Sequence, residues 1–572
     1  MLDRSPNIFV PFLAHRLTRA SIGLFNAFFE GESEEELLES YRYLIKNPKL
    51  SSTDLSETTK IFHAERYGGT GILTHGGGAR VGVDEFYQVK GVGNTPLLGD
   101  TKDFWYSNGQ CTLADSMHEV IWGEVLHRAL PLGALRCPAT IDAQICCTNP
   151  LDDVRHRAIP RGLVIRERAW RPAHFMRAIW FKPKLAAGKK LPLDSLRVRE
   201  AVQLLPDVLP KPKVLTDEEY VRISHAERIY HGLGELSLRL AIQAAAARAR
   251  RISHGSISAS NVCLDGRWLD YGSASRLSGY ETTDKFMRPF WGDHADYLGL
   301  LNDLSFYLGK YSRHEGFEAP GKDDLAELFS RDFAREQLLA FVHIAGYASR
   351  TIEQLSSRES IVAMGVGKSL VRFAQRYPDG AHFSSVLLQL IALCAESGNE
   401  NYVSRSLNME ISAEAITNFR LLFDIVLRKS GGLGITRRSL VRYLALRVIK
   451  SSAEMPLLMR GQLANRLREM TESESSPDQR RHNAEELLRD VVGKCDVLYA
   501  DDCPNRVLLV KDPTCNLHYN AVEDCWQLSG SNGLQKISWR DAFGSSEQIP
   551  AELMRFRTQY DPMLWGYLCG ST

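Results

Sequence analysis

Apolar and polar positions change their spacing several times along the chain, and each change marks a different kind of element. Over residues 1–60 the grouping is amphipathic and helix-like. "SEEELLESYRYLIKNP" (33–48) has a serine cap, acids in its first turn and a proline stop, so a helical N-terminal extension is expected there. Residues 61–110 differ. "GGTGILTHGGGARVGVDEFYQVKGVG" (68–93) is rich in glycine and β-formers and reads as short strands joined by tight turns. "LADSMHEVIWGEVLHRAL" (113–130) returns to helical spacing, with Met117, Val120 and Ile121 on its apolar side. Strand signals follow at "PATIDAQICC" (138–147) and "RGLVIRERAW" (161–170), then a linker-like stretch, "KLAAGKKLPLDSLRVRE" (184–200). A long helical pattern covers 216–251. "NVCLDGRWLDYG" (261–272) reads as a hairpin, because Asp265-Gly266 lies between two apolar runs. Residues 321–485 are mostly helical up to a polar break at 471–486. The last stretch, 486–572, reads as a small α+β unit with strands at "RVLLVKD" (506–512) and "AVEDCWQLSG" (521–530). There is no internal repeat.

At 572 residues the chain exceeds one ordinary core, and two to four domains are expected. A net charge of +1 excludes a global field that would draw nucleic acid or an anionic membrane. No run approaches the ~20 apolar residues of a membrane span, and "MLDRSPNIFVPFLAHRLTRA" is unlike a signal peptide, since Asp3, Pro11 and His15 interrupt it. A cytoplasmic protein is therefore expected. The 11 cysteines include no C-x-x-C pair, which favours free, mostly buried thiols over a zinc site.

Four features that can carry chemistry fall in a fixed order. The first is Gly76-Gly77-Gly78-Ala79-Arg80; glycines let backbone N–H groups approach phosphate oxygens, although a plain tight turn uses the same residues. The second is Lys90, which ends the apolar run "EFYQVK" just before a glycine-rich bend. A solvated surface lysine is the ordinary reading of such a residue alone. A strand lysine that binds phosphates needs a carboxylate to hold it. The third is Glu124, which lies four residues after Val120 and three after Ile121, on or beside the apolar face of the 113–130 helix; Glu119 is its rival. The fourth is "HGSISASNVCLDGRWLDYG" (254–272), where Asn261 and Asp270 supply the hard oxygen ligands that suit Mg²⁺.

That order resembles the SelO (YdiU) pseudokinases, protein-kinase-like folds that transfer AMP from ATP to protein hydroxyls. The pieces that carry the resemblance are "GGGAR", "VKGVGNTPLLG", "HEVIWGEVLH", "VIRERAWRPAHFMR" and "HGSISASNVC…LDYGSASRL", within residues 61–305. The resemblance implies an α+β, bilobal kinase-like core with an N-lobe over 61–185 and a C-lobe with the metal-binding loop over 186–320. The helical region 321–485 and the unit 486–572 would be additions to it. It also implies ATP and Mg²⁺ as cofactors: Gly77, Gly78, Arg80, Lys90, Arg166 and Arg177 on the nucleotide, Lys90 paired with Glu124, and Asn261 and Asp270 on the metal. Arg171 competes with Arg177 for the second arginine position.

One departure stands out. The family places an aspartate directly before the metal-binding asparagine, as a base, whereas this chain has Ser260. A hydroxyl nucleophile gains from a base, often by ~10²–10⁴-fold. A carboxylate nucleophile is already ionised at neutral pH. A second resemblance bears on this. The full length and "ERYGGTGILTHGGGARVG…FYQVKGVGNTPLLGDT" are similar to the MchC/MceJ-type proteins of siderophore-microcin clusters. That resemblance implies a role in attaching a glucosylated catechol siderophore to the C-terminus of a microcin precursor peptide, together with a small acyltransferase-like partner. Adenylation of the peptide's terminal carboxylate would suit a core that lacks its base. The alternatives are an AMP-transferase acting on Ser, Thr or Tyr hydroxyls, and an inactive pseudokinase scaffold for the partner enzyme.

Overall fold

The computed structural model describes residues 5–554 apart from 49, 52, 101–106, 148–157, 185–190, 281–289, 315–316, 322, 396–410, 474, 501–502, 512–513, 531–532, 544–550 and 552. The fold is mixed α+β. Its first half is organised by an antiparallel sheet of eight strands: β1 (Phe9–Leu17), β2 (Ser21–Phe25), β3 (Tyr43–Leu44), β4 (Leu55–Glu65), β5 (Val81–Val83), β6 (Tyr87–Lys90), β7 (Ala139–Cys146) and β8 (Pro160–Glu167). They lie in the order β2-β7-β8-β6-β5-β4-β1-β3. The stretches at 138–147 and 161–170 are thus strands, as their β-branched content predicts.

Residues 1–60 correct the helical expectation. Among the described residues there, Glu34–Tyr41 is the helix, opened by the Ser33 capping box; β1, β2, β3 and the start of β4 take up much of the rest. β1 pairs with β4 along its length, but β3 covers only His15 and Arg16. Pro11 therefore sits where the outer edge of β1 has no neighbouring strand, the position that tolerates a missing N–H.

The Leu113–Ala129 helix packs on β7 and β8. Its other side is covered by the helices Gln462–Thr471 and Pro477–Tyr499. It is accordingly buried on nearly every face, with His118, Glu119 and Glu124 among its buried residues. Ion pairs fasten the covering helix to the sheet region: Arg480 to Asp142 at 2.9 Å, and Arg128 to Asp496 at 2.5 Å.

The pattern over 216–251 resolves into two helices, Asp217–Arg222 and His225–Ala249. Capping boxes at Thr216 and Ser224 open them. The predicted hairpin forms between Val262 and Trp268, with Gly266 in its turn at φ +91°. The linker-like stretch lies partly outside the described residues, and its second part is the helix Asp194–Gln203. Further helices run through the described residues of 324–499. A four-stranded antiparallel sheet follows, of which Arg506–Lys511 and Cys525–Gly530 are members. No helix among the described residues is long and apolar enough to cross a membrane.

Candidate functional site

Strand geometry places the first members of the site. Gln88 and Lys90 are two apart on β6, so they share a face, and Arg166 on β8 is the cross-strand partner of Gln88. The Leu113–Ala129 helix presents Glu119 to this group. Lys90 Nζ donates to Glu119 Oε2 at 2.7 Å, and Arg166 Nη1 donates to Glu119 Oε1 at 2.6 Å.

Asp270 enters from the loop after the hairpin. Its Oδ1 accepts from Lys90 Nζ at 2.6 Å and from Arg166 Nη1 at 3.0 Å, and Arg171 Nη1 lies 3.9 Å from its Oδ2. Asp270 has φ +62°, a left-handed conformation that aspartate tolerates better than most residues. Tyr271 anchors it from behind: its hydroxyl donates to Leu135 O at 2.6 Å and Trp268 O at 2.8 Å. A second tier sits beneath. Gln88 Oε1 accepts from Arg166 Nε at 3.1 Å and from Arg171 Nη2 at 3.2 Å, and Arg171 also donates to Ser260 O at 2.9 Å and lies over the Tyr67 ring.

Three cations thus meet two carboxylates in a largely desolvated space. Burial works against the ionised form of each carboxylate, but neighbouring charge outweighs it. Lys90 and Arg166 hold Glu119 below the ordinary carboxylate range, and Lys90, Arg166 and Arg171 hold Asp270 well below it. Burial alone would lower Lys90; Asp270 and Glu119 keep it above its ordinary value instead. The side chain of Asp270 remains 27% exposed, so the group opens to solvent on that side.

Asn261 lies beside it in the chain pairing, since the Leu269 N–H donates to Asn261 O at 3.1 Å. Its Nδ2 donates to Ser256 O at 2.7 Å, and its Oδ1 accepts from Ser260 Oγ at 3.3 Å. His254 is structural: a ring nitrogen lies 3.0 Å from Leu269 O, and the ring packs edge-on against Trp268. Among the described residues no three His, Cys, Asp or Glu side chains converge as a metal cluster.

Three of the expected positions need correction. Glu124 does not meet Lys90. It is fully buried, 2.8 Å from Asn26 Nδ2 and 2.7 Å from Arg136 Nε, and it also pairs with Arg128. Five residues separate it from Glu119, which is about 140° around a helix, so the two cannot serve one site. Arg177 is also elsewhere: its Nε donates to Asp194 at 2.8 Å and its Nη1 to Tyr311 Oη at 3.1 Å, and Arg171 takes the place beside Arg166.

The third correction concerns the glycine run. The N–H of Gly78 donates to Glu65 O at 2.8 Å and so holds the chain against the end of β4, while that of Ala79 closes a local turn onto Gly77 O at 2.8 Å; these two amides bond within the chain instead of facing a ligand. Gly77 has φ +135°, and a Cβ there would lie 2.1 Å from Glu65 O. Arg80 donates to Gln110 O at 3.0 Å, and its charge is felt at Lys90. Gln88 was not singled out in the sequence; its place two residues before Lys90 on a strand was the available signal.

No family model matches the chain, and no curated protein is similar to it at a significant level.

Proposed function

We propose that this chain is an ATP- and Mg²⁺-dependent nucleotidyl-transfer enzyme on a kinase-like core, and that it adenylates the C-terminal carboxylate of a microcin precursor. On this reading the activated peptide then receives a glucosylated catechol siderophore with the help of an acyltransferase-like partner. The observation that carries the catalytic part is the Lys90 bridge between Glu119 and Asp270, with Arg166 closing the same ring. The microcin part rests on the sequence resemblance.

The residues present fit the groups. Asp270 and Asn261 offer hard oxygen donors of the kind Mg²⁺ takes, and they would hold it; the ion neutralises phosphate charge when bound. Lys90, Arg166 and Arg171 exceed the local carboxylates by one charge, which suits a polyphosphate. Glu119 fixes Lys90 and Arg166, so neither has to be ordered when the nucleotide arrives.

The bond that forms joins a peptide carboxylate oxygen to the α-phosphorus. The bond that breaks is the α–β bridging P–O, and the electron pair leaves with pyrophosphate. No proton has to be removed from the nucleophile, which accords with Ser260 and with the lack of any carboxylate in the sequence 254–261.

One observation favours a second reading, a scaffold without ATP turnover: Asp270 is already engaged by Lys90 and Arg166 and faced by Arg171. The test supplies ATP, Mg²⁺, precursor peptide and partner, and follows pyrophosphate and ADP. Pyrophosphate release that needs a free peptide C-terminus is expected. ADP release would point to an acyl phosphate, an AMP adduct on a hydroxyl to a SelO-like AMP-transferase, and no turnover to the scaffold; each contradicts the proposal.

A further inference from the structure

A cavity of about 500 Å³ brings together the end of β4, the start of β6 and the end of β8. That volume is within the range of small-molecule sites. Its wall holds four carboxylates, Glu32, Glu65, Glu85 and Glu167, against one cation, Arg168. Aromatic rings make up most of the remainder, among them Trp170 and Phe86, and the Phe86 side chain is 67% exposed.

Two of the carboxylates are already committed. Glu167 accepts from Arg267 Nη1 at 2.9 Å and from the Arg136 N–H at 2.7 Å, and Glu32 accepts from the Tyr87 hydroxyl. Glu65 differs. It is 4% exposed, and its buried Oε2 has no hydrogen-bond partner among the described residues. His174 Nε2 lies 4.0 Å from Glu65 Oε1, beyond hydrogen-bond reach, and also has no such partner. Burial and then the charge of Arg171 keep that imidazole well below its ordinary range, so it brings Glu65 no charge. Burial raises the Glu65 carboxyl above its ordinary value, and Arg171, Arg168 and Arg166 offset this only in part. A buried acceptor without its bond is costly. An ionised carboxylate only accepts, so the partner that Glu65 lacks is a donor, and a charged one serves best.

The lining carboxylates do not form a metal cluster. Spread acids interleaved with rings suit a longer cation instead, whose charge meets a carboxylate while its stem or guanidinium plane lies on an aromatic face. We propose that this cavity binds an organic cation, an alkylammonium or guanidinium group on an apolar stem, with Glu65 as its buried acceptor and Phe86 as an aromatic face. The group is carried by a free amine or by a basic side chain of a peptide. This assignment does not depend on the nucleotide reaction proposed above.

The experiment is calorimetric titration of the full chain, without nucleotide and at constant ionic strength, with two probes. One is agmatine, which carries an amine and a guanidinium; the other is a blocked tripeptide with a central arginine. Glu65→Gln keeps the side chain's size and should weaken binding about tenfold or more. Phe86→Leu changes an exposed residue, so it decides the matter if Glu65→Gln does not fold by circular dichroism; it should weaken binding about threefold. Tighter binding of the tripeptide assigns the site to a basic peptide side chain, and agmatine binding as tightly or more so assigns it to a free amine. Absence of binding by both probes, affinity in folded Glu65→Gln equal to wild type, or displacement of the probes by Mg²⁺ at matched ionic strength overturns the proposal.

Discussion

Lys90 Nζ and Glu119 Oε2 lie 2.7 Å apart between the end of β6 and the helix packed on that sheet. This pair, shared with Arg166 and Asp270, is the centre from which the proposed chemistry follows.

Glu119 and Glu124 should separate binding from stability. Glu119→Gln should weaken ATP binding at least about tenfold, because Lys90 and Arg166 lose the charge that positions them. Glu124→Gln should leave the affinity of the folded protein within about twofold, yet cost about 3–5 kcal/mol by leaving Arg128 and Arg136 without their buried partner. Calorimetry and urea midpoints measured on both variants check this; the reverse pattern contradicts it.

The two arginines should divide likewise. Arg171→Met removes the contacts to Gln88 and Ser260 and a charge facing Asp270, so nucleotide affinity should fall about tenfold. Arg177 bonds to Asp194 and Tyr311, away from the ring of charges, so Arg177→Met should leave that affinity unchanged.

Acidification should weaken the fold through the site. Glu119 and Asp270 have carboxyl pKa values depressed in the folded state. A group of that kind stabilises the fold above its unfolded value, about 4, and the contribution is lost as pH falls toward the folded value. Urea midpoints between about pH 6 and about pH 3 should therefore drop, and Glu119→Gln should make the drop shallower. Equal slopes in both proteins would remove Glu119 from this role.

Gly77→Ala should destabilise without touching the nucleotide contacts. The added Cβ meets Glu65 O and the backbone keeps φ +135°, so a loss of about 1–3 kcal/mol is expected. A denaturant midpoint within error of wild type would contradict the packing role of the glycine run.

The sequence carried the order of the site better than its pairing. Lys90, Arg166 and Asp270 were legible because each ends or follows a short apolar run whose strand or hairpin character is plain. The choice between Glu119 and Glu124 was not. A helix covered by a sheet on one side and two helices on the other has almost no solvent face, so its apolar period cannot say which residue turns toward β6.

The N-terminal strands were hidden for another reason. Leu13 and Ile61 are cross-strand partners and both are at least half exposed, at 50% and 61%, and β1 shifts register between His15 and Leu17. Apolar residues on both faces and a broken alternation erase the period of two. Arg171 and Arg177 flank the short turn Pro172–Phe175, where no periodicity fixes side-chain direction.

The most direct test of the central claim is calorimetric titration of ATP in the presence of Mg²⁺, with wild type, Lys90→Ala and Asp270→Ala compared side by side. Mg²⁺-dependent binding in the wild type, lost in both variants while they stay folded, is the predicted result. Absence of binding in folded wild type tested with its partner, or binding that survives both substitutions, would contradict the assignment of this ring of charges as a nucleotide site.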